Sequence, residues 1–272
     1  MAFLNFTEKT VVVVGGTSGI NRGIAEAFAQ HGARVAVASR KQEKVDDTVA
    51  ALQKVGAEAM GFVADVRDFD AVDRGLASVH KRFGDFDVVV SGAAGNFPAL
   101  AVDLSSNGFR SVMEIDLLGT FHVMSASYPR LRKPGASIIN ISAPQAFIPS
   151  KAQIHVSASK AGVDMITRTL ALEWGRAGVR VNSVVPGPID GTEGMARLAP
   201  TEEIRVATAK GVPLGRMGTP ADVANVCLFL ASDLASYVTG AVLPVDGGWT
   251  QNACGGMSEF LGGMMERAKK KG

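Results

Sequence analysis

The chain has 272 residues, enough for one large domain or two small ones with a sizeable buried core. Its 47% hydrophobic and 20% charged residues are typical of a folded globular protein, and no apolar run approaches the roughly 20 residues that cross a bilayer. A net charge of +2 is too small for a nucleic-acid-binding protein, whose basic excess is larger and clustered.

Short β-branched runs alternate with longer helical patterns from residue 10 to about residue 245. The runs are apolar almost throughout, which is typical of a parallel sheet buried on both faces, and right-handed crossovers then give an open, doubly wound sheet. No linker or repeat interrupts this pattern. We therefore predict one α/β domain over residues 1–272, with a seven-stranded parallel sheet flanked by helices. The predicted strands are residues 10–15, 34–39, 59–66, 86–93, 135–142, 179–187 and 241–248.

Two segments depart from the alternation of strands and helices. Residues 188–215 form a polar, Gly-rich insertion after the sixth strand, with helical character. Residues 249–272 follow the last strand as a C-terminal tail, whose weak helical pattern is weakened further by two adjacent glycines. Neither segment has the length or pattern of a second domain.

The first strand continues directly into "GGTSGINRGIAEAF", a Gly-rich turn followed by a helix. Such a turn brings the backbone close to a pyrophosphate, and the helix N-terminus presents free N–H groups and the positive end of its dipole. Gly15 and Gly19 stand four apart, and a purely structural turn also uses glycine. The position directly after the first parallel strand favours a nucleotide site.

The second strand ends in "VAVASRK", where sites that prefer NAD place an acidic residue for the ribose 2′-hydroxyl. Ser39 and Arg40 stand there instead, and a guanidinium suits a 2′-phosphate. A solvated arginine at a strand end is the simpler interpretation, but the missing acid favours NADPH. Asp65 and Val66 close the third strand and would border the adenine. The fourth strand leaves through small residues that let a ribose pass, among them Ala93 and Ala94.

Six motifs, "GGTSGI", "ADV", "GAAG", "SASKAG", "RVNSVVPGPI" and "VDGG", occur in one order along the chain. In that order and spacing the chain resembles the short-chain dehydrogenase/reductase family. The resemblance implies a single Rossmann-like domain, a nicotinamide cofactor and a homotetramer. It also assigns further residues to the cofactor: Thr17, Ser18 and Ile20 in the turn, Lys160 at the nicotinamide ribose, and Pro186, Gly187 and Ile189 beside the carboxamide.

The departures from the family pattern are concentrated in the active site. The position two after Gly19 is Asn21 where the family has glycine, and we expect Asn21 to adopt the left-handed backbone that asparagine tolerates. Asp116 replaces the usual asparagine, and Ala143 and Val156 replace the usual serine and tyrosine. Lys160 alone remains of the usual catalytic set.

Several further segments resemble one branch of that family, the 2,4-dienoyl-CoA reductases, especially those of the peroxisomal type. They include "DLSSNGFRSVMEIDLLGTF", "ALEWG" and "GPIDGTEGMARL". That branch also lacks the tyrosine and has an aspartate at position 116. The resemblance implies an acyl-CoA substrate, reduced with NADPH to a 3-enoyl-CoA.

The resemblance also assigns catalytic roles. Lys160 and Asp164, one helical turn apart, would activate a water as proton donor, and Asp116 would complete the polar chain. An ordinary surface ion pair between Lys160 and Asp164 is the alternative. Asn96, Phe97 and Ser157 are candidates for substrate contact, although packing or capping explains them equally well. The insertion 188–215 would form a lid over the substrate.

Three hypotheses remain open on the sequence alone. The first is an NADPH-dependent 2,4-dienoyl-CoA reductase with water-mediated protonation. The second is a short-chain reductase of another enone, a ketone or a 3-oxoacyl thioester, and the third is a catalytically dead cofactor-binding homologue.

The first ten residues lack a leader pattern and the chain does not end in Ser-Lys-Leu, so we expect a cytoplasmic protein. The histidines and the two cysteines show no metal-ligand spacing, and we expect no metal.

Overall fold

A parallel sheet of seven strands runs through residues 4–252, the part of the chain that this computed structural model describes. The strand order is β3-β2-β1-β4-β5-β6-β7, which confirms the predicted doubly wound fold. Because β1 lies between β2 and β4, the chain reverses direction across the sheet there, and a crevice opens beyond the carboxyl ends of β1 and β4. The strands are β1 (Thr10–Val14), β2 (Arg34–Ser39), β3 (Ala59–Val63), β4 (Val88–Ser91), β5 (Ser137–Ile141), β6 (Arg180–Pro186) and β7 (Val242–Val245).

Helices cover both faces of the sheet. They are α1 (Gly19–Gln30), α2 (Gln42–Lys54), α3 (Phe69–Phe83), α4 (Ser106–Val112), α5 (Gly119–Ser127), α6 (Ile154–Trp174), α7 (Glu193–Leu198), α8 (Glu202–Lys210) and α9 (Pro220–Ala231). A π-helical turn, Met113–Leu118, joins α4 to α5 in one continuous helical rod. The insertion predicted at residues 188–215 contains α7 and α8.

Alternating side chains of the strands build two cores, one on each face. In β1, Val11 and Val13 belong to the first core, and Val12 and Val14 belong to the second. Helices α1 and α9 close the first core, and α3, α5 and α6 close the second. Each fully buried aliphatic side chain contributes about 1.5–3 kcal/mol, so this arrangement holds the crevice on a rigid base.

Most strands are shorter at their carboxyl ends than the sequence predicts. The segment predicted at 59–66 ends at Val63 and the one predicted at 86–93 ends at Ser91, whereas 34–39 is reproduced without change. The reason is that the residues beyond β3 and β4 leave the sheet and line the crevice. Of the predicted tail, 249–272, the first four residues form a short 3₁₀ turn, and residues 253–272 lie outside the described part.

No helix within residues 4–252 is both long enough and apolar enough to cross a membrane.

Candidate active site

A cleft with two compartments lies at the carboxyl edge of the sheet. The cofactor compartment, about 780 Å³, extends from the first Gly-rich turn to the end of β2. The inner compartment, about 470 Å³, extends from the same turn toward α6 and the lid helix α7. The two are continuous, because both are lined by Ser18, Asn21, Gly92, Ala94, Gly95, Asn96 and Glu193.

The structure places most of the predicted cofactor residues in this cleft. The cofactor compartment is lined by Gly15, Thr17, Ser18, Ser39, Arg40, Asp65, Val66, Ala93 and Ala94. The inner compartment is lined by Gly19, Ile20, Lys160, Pro186 and Gly187. Ile189 lines neither one: it is buried in the first core, and its backbone pairs with Gly218.

The turn after β1 is shaped for a dinucleotide. Gly15 has a φ of +80°, and a Cβ there would lie 2.8 Å from the backbone nitrogen of Ala93. The side chain of Ser18, at the N-cap of α1, makes no capping hydrogen bond, so the first N–H groups of that helix are left for a ligand. A nicotinamide dinucleotide therefore fits this cradle, with its pyrophosphate at the start of α1.

Cations surround the end of the compartment beyond β2. Lys41 and Lys44 line it together with Arg40, and Lys44 lies four residues after Arg40, in the first turn of α2. Asp65, which lines the same compartment, accepts hydrogen bonds from the guanidinium of Arg67 at 2.6 and 3.0 Å, which lowers the pKa of its carboxyl. The sequence interpretation missed Lys44, although its spacing from Arg40 was a usable signal.

Lys160 and Asp116 form the polar base of the inner compartment. The Lys160 ammonium donates to the carbonyl of Ile141 at 3.0 Å and lies 3.4 Å from Oδ2 of Asp116. Oδ1 of Asp116 accepts from the backbone N–H of Gly95 at 2.7 Å. Asp116 is only 1% exposed, and a buried carboxylate is tolerated when it is paired and hydrogen-bonded in this way. It projects from the π-helical turn, a distortion that often marks functional sites.

Val156 and Ala143 line the inner compartment near Lys160. They are the two residues that the family resemblance aligns with the usual tyrosine and serine. These two positions therefore contribute only apolar surface. Ser142, the neighbour of Ala143, also lines the compartment, and its hydroxyl is buried.

Asp164 lies behind the cleft rather than on its wall. It is 4% exposed, which does not fit an exposed ion pair with Lys160. Burial raises the pKa of the Asp164 carboxyl, and the hydroxyls of Ser142 and Ser183 oppose that rise in part. Because Ser142 also faces the inner compartment, this serine connects Asp164 to the cleft.

The three candidate substrate residues are not brought together. Asn96 lines both compartments. Phe97 is 38% exposed and packs its ring 4.6 Å from that of His155, and half-buried Ser157 lies on α6 outside both compartments. Adjacent helix positions point about 100° apart, so Ser157 faces away from the wall that Val156 forms.

The expected left-handed conformation of Asn21 is wrong. Asn21 lies within α1, and the only residues other than glycine with a left-handed φ in the described chain are Glu8 and Ala152. Its Nδ2 donates to the carbonyl of Gly92 at 2.7 Å. Asn21 thus bridges α1 to the end of β4 between the two compartments, a contact that no local pattern in the sequence indicates.

The insertion at residues 188–215, which the sequence predicts as a lid, contributes the outer wall of the inner compartment. Met195 and Leu198 of α7 face it, and Thr192 caps that helix by accepting from the N–H of Met195 at 3.1 Å. Glu193 lies between the compartments and pairs with Lys44 of α2 at 3.1 Å. The lid is thereby connected by an ion pair to the rim of the cofactor compartment. Within residues 4–252, no cluster of three or more His, Cys, Asp or Glu side chains could hold a metal ion.

Comparison with known proteins identifies the class. The family profile described as Enoyl-(Acyl carrier protein) reductase matches residues 14–250. A crystal structure of a short chain dehydrogenase from Bacillus anthracis superposes with a TM-score of 0.80 and 37% identity, covering 89% of this chain and 96% of that one. The chain belongs to the short-chain dehydrogenase/reductase family and is an oxidoreductase of a family that uses a nicotinamide cofactor.

Within that family, two similar curated relatives carry related names. The Peroxisomal 2,4-dienoyl-CoA reductase [(3E)-enoyl-CoA-producing] of Arabidopsis thaliana is 44% identical over 250 residues, 88% of this chain and 84% of the relative. The Probable 2,4-dienoyl-CoA reductase [(2E)-enoyl-CoA-producing] of Bacillus subtilis is 38% identical over 244 residues, 89% of this chain and 96% of the relative. The two names agree on the substrate and differ in the product.

Proposed function

We propose that this protein reduces 2,4-dienoyl-CoA to 3-enoyl-CoA with NADPH. One observation carries the proposal: the buried Lys160–Asp116 pair faces a compartment in which Val156 and Ala143 replace the hydroxyl-bearing residues of a ketone reductase. In a ketone reductase the phenol of the tyrosine protonates the alkoxide that forms, and a site without it is poorly suited to that step. It remains suited to a conjugated thioester, in which the proton goes to carbon.

NADPH would be held by the first turn, with its 2′-phosphate beside Arg40 and Lys44. When bound, NADPH supplies the hydride, which bonds to C5 of the dienoyl group. Lys160 would hold the nicotinamide ribose, and its ammonium is kept in place by the Ile141 carbonyl and Asp116.

The remaining residues would manage charge and the proton. As the hydride adds, charge moves to the thioester oxygen, to which the amide of Asn96, a residue of the compartment wall, would donate a hydrogen bond. A water in the inner compartment would give its proton to C2, leaving the double bond between C3 and C4. Asp164, with its raised pKa, would resupply that proton through Ser142. Overall, the dienoyl-CoA, NADPH and one proton give the 3-enoyl-CoA and NADP⁺.

The test is loss of 340 nm absorbance when the purified full-length protein is mixed with NADPH and 2,4-hexadienoyl-CoA. We expect turnover with this substrate and none with simple ketones, and NMR of the product should show the 3-enoyl isomer. No oxidation of NADPH would reject the proposal. Formation of a 2-enoyl product would support dienoyl-CoA as the substrate but would reject protonation at C2.

Arg40→Ala tests the choice of cofactor in the same assay. We expect kcat/KM for NADPH to fall roughly 10- to 100-fold with little change for NADH, since a hydrogen bond to a charged group contributes about 1.5–3 kcal/mol. Arg176→Ala, an exposed arginine after α6, is the matched control and should match wild type. Equal losses for NADPH and NADH would count against the 2′-phosphate role.

A homotetramer and a cytoplasmic location stay predictions, and the Arabidopsis relative is named as peroxisomal.

A further inference from the structure

The loop of residues 92–105, between β4 and α4, carries Asn96 and crosses the start of α6. Two long-range hydrogen bonds join it to that helix end. The His155 Nε2 lies 2.9 Å from the carbonyl oxygen of Phe97, and the N–H of Ala99 donates to the carbonyl of Ala152 at 3.0 Å. The position of Asn96 in the cleft therefore depends on contacts made from outside the cleft.

His155 is an unusual residue to bury at this point. Its side chain is fully buried, and its ring packs 4.6 Å from the ring of Phe97. A carbonyl can only accept a hydrogen bond, so Nε2 carries a proton and is the donor. Nδ1 is buried with no hydrogen-bond partner in the described chain. An aliphatic side chain would fill the same space without burying an unpaired nitrogen, so packing alone does not account for a histidine.

The neighbouring residue on α6 explains how this contact reaches the reaction. Val156 forms part of the wall of the inner compartment, and His155, about 100° around the helix, faces the loop instead. The first turn of α6 thus contributes the apolar wall through Val156 and fixes the position of the loop that carries Asn96 through His155. The Phe97 carbonyl that His155 holds is in the residue next to Asn96.

We propose that His155 is a positioning residue, which holds the Phe97 carbonyl and thereby aims the Asn96 amide at the thioester oxygen of the substrate. The inference rests on the proposed function for its substrate, but the contact itself is a property of the chain. His155 lines neither compartment of the cleft, so it would act through the loop.

Three substitutions separate the hydrogen bond from packing. His155→Gln places an amide nitrogen close to the position of Nε2, His155→Asn places one close to Nδ1, and His155→Leu removes the donor. Active sites are counted by NADPH fluorescence titration, so that a loss of folded protein does not count as a loss of activity. If His155→Leu does not fold, the Gln and Asn variants alone decide the matter.

We expect the KM for 2,4-hexadienoyl-CoA to rise about tenfold in the Asn and Leu variants and kcat to fall. The KM for NADPH should stay within twofold, and His155→Gln should return both constants to within threefold of wild type. A Gln variant as impaired as the Asn variant would overturn the proposal, as would equal changes in the two KM values or no change in either.

Hydrogen exchange provides a readout that does not depend on the substrate. In the NADP⁺ complex, peptides covering residues 95–104 should exchange about tenfold faster in the Asn and Leu variants and near the wild-type rate in the Gln variant. If the wild-type protein does not turn over dienoyl-CoA, the proposed function fails and this measurement still decides on His155. Wild-type exchange rates in all the variants would overturn the positioning role.

Discussion

The contact between Asn21 and Gly92 shows how one missing side-chain atom shapes the cleft. A Cβ on Gly92 would lie 2.3 Å from both Nδ2 and Oδ1 of Asn21, which is far inside van der Waals contact. Only glycine at position 92 leaves room for the Asn21 side chain as it is placed. The Asn21 amide donates a hydrogen bond of 2.7 Å to the Gly92 carbonyl, which joins α1 to the end of β4. Both residues line both compartments, so the pair lies at the centre of the site.

Gly92→Ala should therefore be destabilising only while Asn21 is present. We expect a loss of about 1–3 kcal/mol in the free energy of unfolding from overpacking, together with weaker NADPH binding. Asn21→Ala removes the clashing atoms, so the double variant should recover most of that loss. A double-mutant cycle by urea denaturation at fixed protein concentration measures the coupling. Effects that add within about 0.5 kcal/mol would contradict the steric interpretation.

At the scale of the elements, the start of α9 is the one helix end in the described part of the chain that has a capping box. Thr219 and Asp222 form a capping box, in which each side chain bonds the backbone N–H of the other. Arg216 and Thr219 together lower the pKa of the Asp222 carboxyl, with Arg216 as the larger cause. This helix end packs closely on α1: a Cβ on Gly23 would lie 2.5 Å from Cβ of Pro220. The cap therefore supports the helix whose N-terminus faces the cofactor compartment.

Thr219→Ala should cost about 1 kcal/mol in the free energy of unfolding, the usual effect of losing an N-cap side chain. Thr219→Ser should restore most of it. Thr201 caps α8 in the same way by accepting from Ile204, but α8 belongs to the lid and contains no fully buried residue. Thr201→Ala is therefore the matched control, and it should change global unfolding by less than about half as much. Equal losses in the two variants would show that the contact with α1 adds nothing.

At the scale of the whole molecule, stability should fall as pH rises because of Asp164. Burial raises the pKa of the Asp164 carboxyl in the folded state above its ordinary value of 3.8. At pH values between the unfolded-state and folded-state pKa, the folded protein therefore binds the proton more tightly than the unfolded protein. Stability is fully present below the unfolded pKa and is lost as pH rises through the folded pKa. Asp164→Asn cannot ionise and should raise the unfolding midpoint at pH 7, with little effect at pH 4. The same gain at both pH values would exclude this cause.

The fold and most of the residues that line the cleft could be predicted from the sequence because their signals are local. The periods of the strands and helices, the Gly-rich turn and the Ser39–Arg40 pair each occupy a few consecutive residues. The pairing of Asp116 with Lys160, and of His155 with Phe97, joins segments that lie 44 and 58 residues apart. Nothing in either segment alone specifies its partner, so those contacts could only be seen in the folded chain. Asn21 was misinterpreted for the same reason, since its partner Gly92 lies 71 residues away, directly after β4.

The fit between Asn21 and Gly92 also restricts how this chain can change over generations. A side chain that appears first at position 92 overlaps the amide of Asn21 and forces it to move, which makes this order of change costly. The reverse order is open: a smaller residue at position 21 loses one hydrogen bond and leaves a small space, which a later side chain at position 92 can fill. Changing position 21 first and position 92 second is therefore the less costly route for a lineage that moves away from this pair.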